Sequence, residues 1–274
     1  MFDEKKVIQL ARTLRIRALE MAYSTGHDGS HLGGGLSPIE IFAVLYGAIL
    51  KYDVCDPSNL NRDRLIVSKG HCVLAYYSAL EYAGFLSPND IWSFEKNGSP
   101  FHGHATRDLE KGIEFSGGSL SMGLSFGVGV ALACKMRGLS ARVFTIVGDG
   151  ECNEGLVWES LMSAANFKLS NLTVIVDCNG LQYDGRTADV MNSYSLSEKF
   201  SSFGFRVTEV DGHDCIALYE ILQKDVTEDK PNAIIAHTIK GKGVSFMENR
   251  KEWHHSRLSQ QQFELAMQEQ GANT

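Results

Sequence analysis

The chain has 274 residues, 43% of them hydrophobic and 22% charged, so it can bury a substantial core as one large α/β domain or two small ones. Its formal charge of −7, with Lys and Arg dispersed, argues against a nucleic-acid partner, and the lack of an apolar run of roughly 18 residues argues against a membrane partner. Six cysteines without Cys-x-x-Cys spacing, and an N-terminus without a secretory leader, favour reduced thiols and a cytoplasmic location.

The N-terminal residues predict two helices separated by a glycine-rich loop. Apolar residues at steps of three and four over residues 7–21 predict an amphipathic helix of about five turns. Residues 23–35, with five glycines and two histidines, predict a loop that can approach a ligand. Ser-Pro-Ile-Glu at residues 37–40 is typical of a capping box with proline at the first helical position, and it predicts a helix through about residue 50.

A short strand and a second glycine-containing loop follow. Residues 61–71 (Asn-Arg-Asp-Arg-Leu-Ile-Val-Ser-Lys-Gly-His) predict a charged turn, a buried strand and a loop ending in His71. A histidine in such a loop can donate to a diphosphate oxygen through one ring nitrogen while a neighbour fixes the other. Residues 72–84 predict a helix whose small and aromatic side chains belong to the core.

Two histidines, His102 and His104, stand two positions apart in Ser-Pro-Phe-His-Gly-His. In an extended segment this spacing suits a metal ion, but no third nitrogen or sulfur ligand with the usual spacing follows, so zinc is not expected. The next segment predicts a turn and an almost wholly apolar helix in which Gly123, Gly127 and Gly129 each cost roughly 1 kcal/mol relative to alanine. That cost indicates that another backbone or a cofactor packs tightly against the helix.

Two predicted buried strands end abruptly in small and acidic residues. Residues 143–147 and 172–176 are apolar, β-branched runs, and one strand-helix-strand unit separates Asp149, after the first, from Asn179, after the second. Because neighbouring parallel strands end at the same edge of a sheet, the Asp149 carboxylate, the Asn179 amide oxygen and a carbonyl near Leu181 can converge. Such oxygen ligands suit Mg2+, which usually completes its octahedron with phosphates and water.

The residues around these ligands complete a predicted metal-bridged diphosphate site. Gly148 and Gly150 let the backbone approach a phosphate, and a helix from about Glu154 directs its N-terminal N–H groups at the same anion. Cys152 and Cys178 lie inside the predicted site. Because no histidine is adjacent to either, they are interpreted as packing residues rather than nucleophiles.

The C-terminal part adds strands but few site signals. Residues 206–210 and 233–239 predict strands, and residues 260–270 predict a terminal helix. Lys-Gly-Lys-Gly at residues 240–243 lacks the Gly-x-x-x-x-Gly-Lys-Ser/Thr spacing of a phosphate loop. No internal repeat or linker interrupts the chain, so residues 1–274 are predicted to form a single domain.

The sequence resembles the transketolases from about residue 10 to residue 260. Gly-Asp-Gly-Glu-Cys-Asn-Glu-Gly from residue 148, followed by Asp-Cys-Asn-Gly from residue 177, is similar to the diphosphate signature of thiamine-diphosphate enzymes. Asp-Arg-Leu-Ile-Val-Ser-Lys-Gly-His from residue 63 and the late Trp-His at 253 resemble transketolase in particular. The resemblance implies the diphosphate-binding domain of that fold, an open, mainly parallel α/β sheet flanked by helices on both faces. It also implies thiamine diphosphate and Mg2+ as cofactors, with Ca2+ or Mn2+ as substitute ions.

The resemblance further implies roles for the matching residues. Those implied to bind the cofactor are His71, Gly118, Leu120, Gly150, Glu154, Asn179 and His254, with Asp149, Asn179 and the Leu181 carbonyl holding the ion. Glu154, together with Glu159, matches a position that links paired active sites across the dimer. Those implied to contact the donor sugar and carry protons are His31, His104 and His254.

Several residues depart from the family pattern. Alignment on the downstream Leu-Ser puts His31, not His27, at the position of the family's loop histidine, and His102 is interpreted as an incidental neighbour of His104. Ser121 and Met122 replace a Gly-Gln pair near the cofactor pocket, and His255 stands where the family usually has glycine.

The family's activating glutamate lies in a pyrimidine-binding domain C-terminal to this one, and the sequence ends at residue 274, before such a domain could begin. The resemblance therefore implies a split transketolase, in which this subunit helps to transfer a two-carbon ketol unit from a ketose phosphate to an aldose phosphate. A C-terminal partner subunit would supply the glutamate, as a heterotetramer. The alternatives are a related thiamine enzyme, such as a deoxyxylulose-phosphate synthase or an oxo-acid dehydrogenase component, and a non-catalytic regulatory or assembly subunit.

Overall fold

A computed structural model describes residues 3–224 and 229–272 of the chain. Its five-stranded sheet consists of β1 (Arg64–Val67), β2 (Val143–Gly148), β3 (Leu172–Cys178), β4 (Arg206–Asp211) and β5 (Asn232–His237). The strands lie in the order β1-β2-β3-β5-β4, and each neighbouring pair is parallel. Met1 and Phe2, on which the expected absence of a leader partly rests, lie outside the described residues.

Helices cover both faces of the sheet, as the resemblance implies. They are α1 (Glu4–Ser24), α2 (Leu32–Leu36), α3 (Ile39–Val44), α4 (Val73–Ala83), α5 (Pro88–Trp92), α6 (Met122–Met136), α7 (Gly155–Asn166), α8 (Thr187–Val190), α9 (Leu196–Ser202), α10 (Cys215–Leu222) and α11 (Gln260–Glu269). Buried side chains of α6, α7 and α9 form one core, and those of α1, α3, α4 and α10 form the other. The predicted fold class is confirmed.

The central strands β2, β3 and β5 are mostly apolar because both of their faces are covered, whereas the edge strand β4 carries polar, partly exposed residues. Successive strand residues point to opposite faces, so Phe144 and Ile146 of β2 join the core of α1, α3 and α4, while Val143 and Val147 join the core of α6 and α7. A continuous apolar run, rather than alternation, is the pattern expected of a parallel sheet buried on both sides.

Two predictions near the N-terminus are wrong. The predicted loop is interrupted by α2 (Leu32–Leu36), and Ser37 caps no helix, since α3 begins after Pro38 without a side-chain hydrogen bond at its first turn. The Ser37 hydroxyl instead donates to the carboxylate of Asp177 over 2.6 Å. A partner distant in sequence therefore replaces the local cap. The helical course through about residue 50 is confirmed, with a π-helical turn at Leu45–Ile49.

The remaining segments largely follow the predictions. The predicted strands correspond to β1, β2, β3, β4 and β5, and the predicted helices to α1, α4, α6, α7 and α11. The sequence pattern does not predict the short helices α5, α8 and α9. The prediction that another backbone packs tightly against the α6 glycines is confirmed for Gly123, where a Cβ would lie 2.5 Å from the Ser68 Cα. It is wrong for Gly129, where a Cβ would meet nothing within 4 Å.

One helical stretch within the described residues is long and apolar enough by length and composition to cross a membrane, so the expectation that the chain lacks an apolar run of that length is wrong. The stretch spans Leu32–Ile49, and 89% of it is buried inside the protein. Burial of that extent is typical of a core helix.

Candidate active site

A cavity of about 470 Å³ opens at the carboxyl edge of the sheet, where the loops after β1, β2, β3 and β5 meet. Open α/β sheets bind ligands at this edge. Every residue that was assigned from the sequence to the cofactor, the ion or the sugar lines the cavity. They are His31, His71, His104, Gly118, Leu120, Asp149, Gly150, Glu154, Asn179, Leu181 and His254. Their individual roles remain predictions.

Asp149 is a buried carboxylate held by backbone donors. Its oxygens accept hydrogen bonds from the N–H of Gly180 over 2.7 Å and of Gly150 over 2.9 Å, and from the Thr187 hydroxyl over 3.2 Å. Burial and the nearby Asp177 carboxylate raise the pKa of Asp149, against these hydrogen bonds. The carboxylate is therefore fixed in orientation, and the charge of Lys69 does not offset burial and Asp177, so a bound cation would stabilise its ionised form.

Two further candidate oxygens belong to the residues on either side of Gly180, whose N–H binds Asp149, and the register of Gly148 with Asp177 on β2 and β3 brings the two strand ends together. The Asn179 side-chain oxygen accepts from the Leu181 N–H over 3.1 Å, and its amide nitrogen donates to Asp177 over 3.5 Å. The Leu181 carbonyl accepts from the Lys240 ammonium over 3.0 Å, so it already faces a cation. A carboxylate, an amide oxygen and a carbonyl fit the hard-ion chemistry of Mg2+.

The spacing of His102 and His104 raised the possibility of a zinc site. In the described part of the chain, no three His, Cys, Asp or Glu side chains are grouped so that they could hold a metal ion. His102 is exposed and does not line the cavity, which agrees with the expectation that it is incidental to His104.

Four histidines from separate segments converge at one side of the cavity. The ring of His31 lies 5.8 Å from that of His71, 5.2 Å from that of His104 and 5.6 Å from that of His254, between ring centres. The exposed His255 also approaches, with its ring centre 4.6 Å from that of His31. In the sequence, His255 stands out only as a departure from the family pattern.

Burial lowers the pKa of the imidazoles of His31, His71 and His254. Burial, reinforced by His255 and His104, lowers the pKa of His31 to about 4, and burial with the Lys240 ammonium lowers that of His254 to about 3. The pKa of His71 is lowered well below its usual value by burial and then by Lys69. At neutral pH each such ring offers one N–H donor and one acceptor nitrogen, which suits hydroxyl recognition and proton movement.

The glycines of the loop pack against site residues rather than facing open space. A Cβ on Gly34 would lie 2.6 Å from the His71 ring, and a Cβ on Gly33 would lie 3.0 Å from the Lys240 side chain. Across the cavity, a Cβ on Gly150 would lie 2.8 Å from the Gln182 side-chain oxygen. Glycine is therefore needed at these positions so that the side chains that line the cavity can approach.

Two buried lysines were missed by the sequence reasoning. Lys69 and Lys240 both line the cavity, and Lys69 forms a buried ion pair with Asp177. Burial and the charge of Lys69 lower the pKa of Lys240 to about 8. Lys69 stands directly before the Gly-His pair that resembles the family, and Lys240 is the first residue of Lys-Gly-Lys-Gly. A lysine shortly after a predicted apolar strand was the signal in the sequence that could have identified both.

Other weighed residues lie outside the site or are inert. His27 and Glu159 are exposed and do not line the cavity. Glu154 is also exposed, but it lines the cavity. Burial raises the pKa of the Cys178 thiol to about 12 and that of Cys152 well above its usual value. Both cysteines are thus thiols at neutral pH, as expected for packing residues.

Comparison with known proteins identifies the family of this chain and several of its relatives. The family described as transketolase, thiamine diphosphate binding domain, matches residues 3–274. One subunit of an apulose-4-phosphate transketolase from Phocaeicola vulgatus is 38% identical over 256 residues, which are 93% of this chain and 90% of the relative. A 6-deoxy-6-sulfo-D-fructose transketolase subunit of Clostridium sp. is 36% identical over 240 residues, 87% of each chain.

Solved structures of longer proteins share the fold. The transketolase of Campylobacter jejuni superimposes with a TM-score of 0.92 at 28% identity, over 99% of this chain and 44% of that one. The transketolase of Leishmania mexicana superimposes with a TM-score of 0.90 at 27% identity, over 97% of this chain and 41% of that one. This chain therefore spans less than half the length of these two proteins.

Proposed function

The chain belongs to the transketolase family, as a subunit that corresponds to the thiamine diphosphate-binding part, and we propose that it forms one half of a split, Mg2+-dependent transketolase. The proposal rests above all on one observation. Asp149, Asn179 and the Leu181 carbonyl lie at adjacent strand ends and line the same cavity as four neutral histidines. The enzyme would work in the cytoplasm on sugar phosphates.

The proposed division of labour follows from the donors at the cavity wall. The ion would take the three oxygens, and the diphosphate would take N–H and ammonium donors from His71, Lys69 and Lys240. Thiamine diphosphate, when bound, supplies the nucleophilic carbon and the electron sink. At the other side His31, His104 and His254 would orient the hydroxyls of a ketose phosphate and move protons, since their neutral rings can both donate and accept.

A partner subunit fits two observations: the named relatives are transketolase subunits and this chain spans less than half of the longer transketolases. The two buried carboxylates of the cavity, Asp149 and Glu151, are also already engaged within the chain. The buried Glu151 accepts from the Gly148 and Ser121 N–H groups over 2.9 and 2.6 Å and from the Ser68 hydroxyl. Asp149 is held for the ion. We therefore assign the activating glutamate to a C-terminal, pyrimidine-binding subunit, and propose a heterotetramer with two copies of each chain.

The relatives' names narrow the reaction class. They act, by those names, on apulose 4-phosphate and on 6-deoxy-6-sulfo-D-fructose. Both are ketoses with an anionic end, so transfer of a two-carbon ketol unit from such a ketose to an aldose phosphate is the proposed reaction here.

Two measurements test this function. Isothermal calorimetry should show thiamine diphosphate binding that requires Mg2+, abolished by Asp149→Ala and retained by the exposed Asp53→Ala control. Ketol transfer from a panel of ketose phosphates should require both this chain and the pyrimidine-binding subunit. Turnover by the chain alone would disprove the split enzyme, and undiminished Mg2+-dependent binding by Asp149→Ala would remove the ion assignment.

A further inference from the structure

Glu95 adopts a backbone conformation that glutamate disfavours. Its φ angle of 55° lies in the left-handed region, and it begins the turn Glu-Lys-Asn-Gly after α5. Its N–H donates to the Phe101 carbonyl over 2.9 Å, which closes the loop that leads to His104. Glycine or asparagine would adopt this conformation at less cost, so the strain at Glu95 indicates a role for its side chain.

The Glu95 carboxylate lies behind the segment that presents His104. It accepts a hydrogen bond of 2.5 Å from the Gly103 N–H. A Cβ on Gly103 would lie 2.6 Å from that carboxylate oxygen and 4.0 Å from Nδ1 of His31, so the carboxylate and the two histidines share one small region. At the other end of the same His102–Gly103 peptide, the Tyr77 hydroxyl donates to the His102 carbonyl over 3.1 Å.

We propose that Glu95 is a positioning residue that fixes the His102–Gly103 peptide and so orients the ring of the following residue, His104, toward the sugar end of the cavity. The backbone and the side chain of Glu95 bind the same short segment at Phe101 and at Gly103, which restrains it at two points. A carboxylate makes a stronger acceptor for the Gly103 N–H than a neutral oxygen does. The sugar part of this inference rests on the proposed function.

The charge of Glu95 also acts on His104. Burial and His255 lower the pKa of His104, while Glu95 opposes them, and the ring of His31 faces it at 5.2 Å. Among the described residues, Glu95, His255 and His31 are the titratable groups found to contact or act on His104. Loss of the Glu95 charge should therefore lower the pKa of His104 further.

Two variants of the full chain separate orientation from folding. Glu95→Gly relieves the left-handed backbone, so thermal stability should be equal or higher. Because it also removes the acceptor for the Gly103 N–H, the KM for the ketose phosphate in the reconstituted pair should rise about tenfold, since misplaced groups lose catalytic alignment. Glu95→Gln keeps an oxygen for the Gly103 N–H, so KM should change less than about threefold. Thiamine diphosphate affinity should be unchanged in both.

Histidine-labelled NMR of the 274-residue chain provides the readout that a purely structural role would not move. Both variants should lower the pKa of His104, and the exposed control Glu110→Gln should not. Unaltered His104 titration in Glu95→Gln, or an unaltered KM in a folded Glu95→Gly, would overturn the proposal. If the wild-type pair shows no ketol transfer, the proposed function fails, and the His104 titration still decides the role of Glu95.

Discussion

The ammonium of Lys240 donates a hydrogen bond of 3.0 Å to the carbonyl oxygen of Leu181. The two residues follow β5 and β3, neighbouring parallel strands whose ends meet at the cavity. Lys240 thus touches an oxygen assigned to the ion and lies within the same cavity wall as the residues assigned to the diphosphate. An ion at Leu181 would free this ammonium for an anion.

Lys240→Met should weaken thiamine diphosphate binding by about 10- to 100-fold, since a charge-assisted hydrogen bond contributes about 1.5–3 kcal/mol. Affinity for Mg2+ alone should not fall, because the ammonium no longer competes for the Leu181 carbonyl. Calorimetry measures both. Lys242→Met is the matched control, since Lys242 pairs at 3.7 Å with Glu248 and does not line the cavity. Equal affinity of the Lys240 and Lys242 variants would contradict the assignment.

Lys69→Met should destabilise the protein by about 3–5 kcal/mol, because it leaves the fully buried Asp177 carboxylate without its cation. Urea unfolding followed by circular dichroism measures the loss. In the control, Lys168→Met removes an exposed pair with Asp229 at 3.4 Å and should cost less than about 1 kcal/mol. A Lys69 variant as stable as the Lys168 variant would show that Asp177 is stabilised by its hydroxyl donors alone.

The sequence pattern brought the predicted ion ligands to one cavity because their signal is local, and their role in binding an ion stays a prediction. An apolar run that ends in an acidic or amide residue fixes where a strand stops, and parallel pairing then brings Asp149 and Asn179 together. The sequence pattern did not predict the contacts of Lys69 and Ser37, because both bind Asp177, which is far away in sequence. No pattern within residues 37–40 distinguishes a helix cap from a hydroxyl directed at such a partner.

The conformation of single residues was also beyond prediction. Glu95 and Ser121 have positive φ angles, which a sequence pattern predicts at glycine or asparagine but not at glutamate or serine. For Ser121 the resemblance offered a signal, because the family has glycine at that position. A departure from glycine can thus mark a left-handed backbone.

Ser121→Gly should stabilise the protein by about 1 kcal/mol. Ser121 precedes α6 with φ 70° and ψ −24°, a left-handed conformation that costs L residues about 1–2 kcal/mol. Its N–H bond to Glu151 does not depend on the side chain. Calorimetry should show a melting temperature about 2–4 °C higher. Ser125→Gly, within α6 itself, should have the opposite sign, at a cost below about 1 kcal/mol.

A melting temperature that falls in Ser121→Gly would show that the hydroxyl, which donates to the Leu120 carbonyl, outweighs the backbone strain. Measuring the thiamine diphosphate affinity of Ser121→Gly would then show whether the lost hydrogen bond to the Leu120 carbonyl alters the cavity, because Leu120 lines it. We expect no loss of affinity, since the Leu120 carbonyl can bind water instead.

Glu40 should make stability depend on acid pH. Burial would raise its pKa, but the hydrogen bond with His213 at 2.9 Å and the charge of Arg15 outweigh burial, so its pKa in the folded protein lies below the usual 4.5. A lowered pKa stabilises the fold above the unfolded-state value and ceases to do so as pH falls through the folded value. The gap in urea-unfolding free energy between the wild type and Glu40→Gln should therefore be constant from pH 6 to 7 and shrink below about pH 4.5. The exposed Glu264→Gln should show no such narrowing, and a gap that persists at low pH would show that Glu40 acts through packing rather than charge.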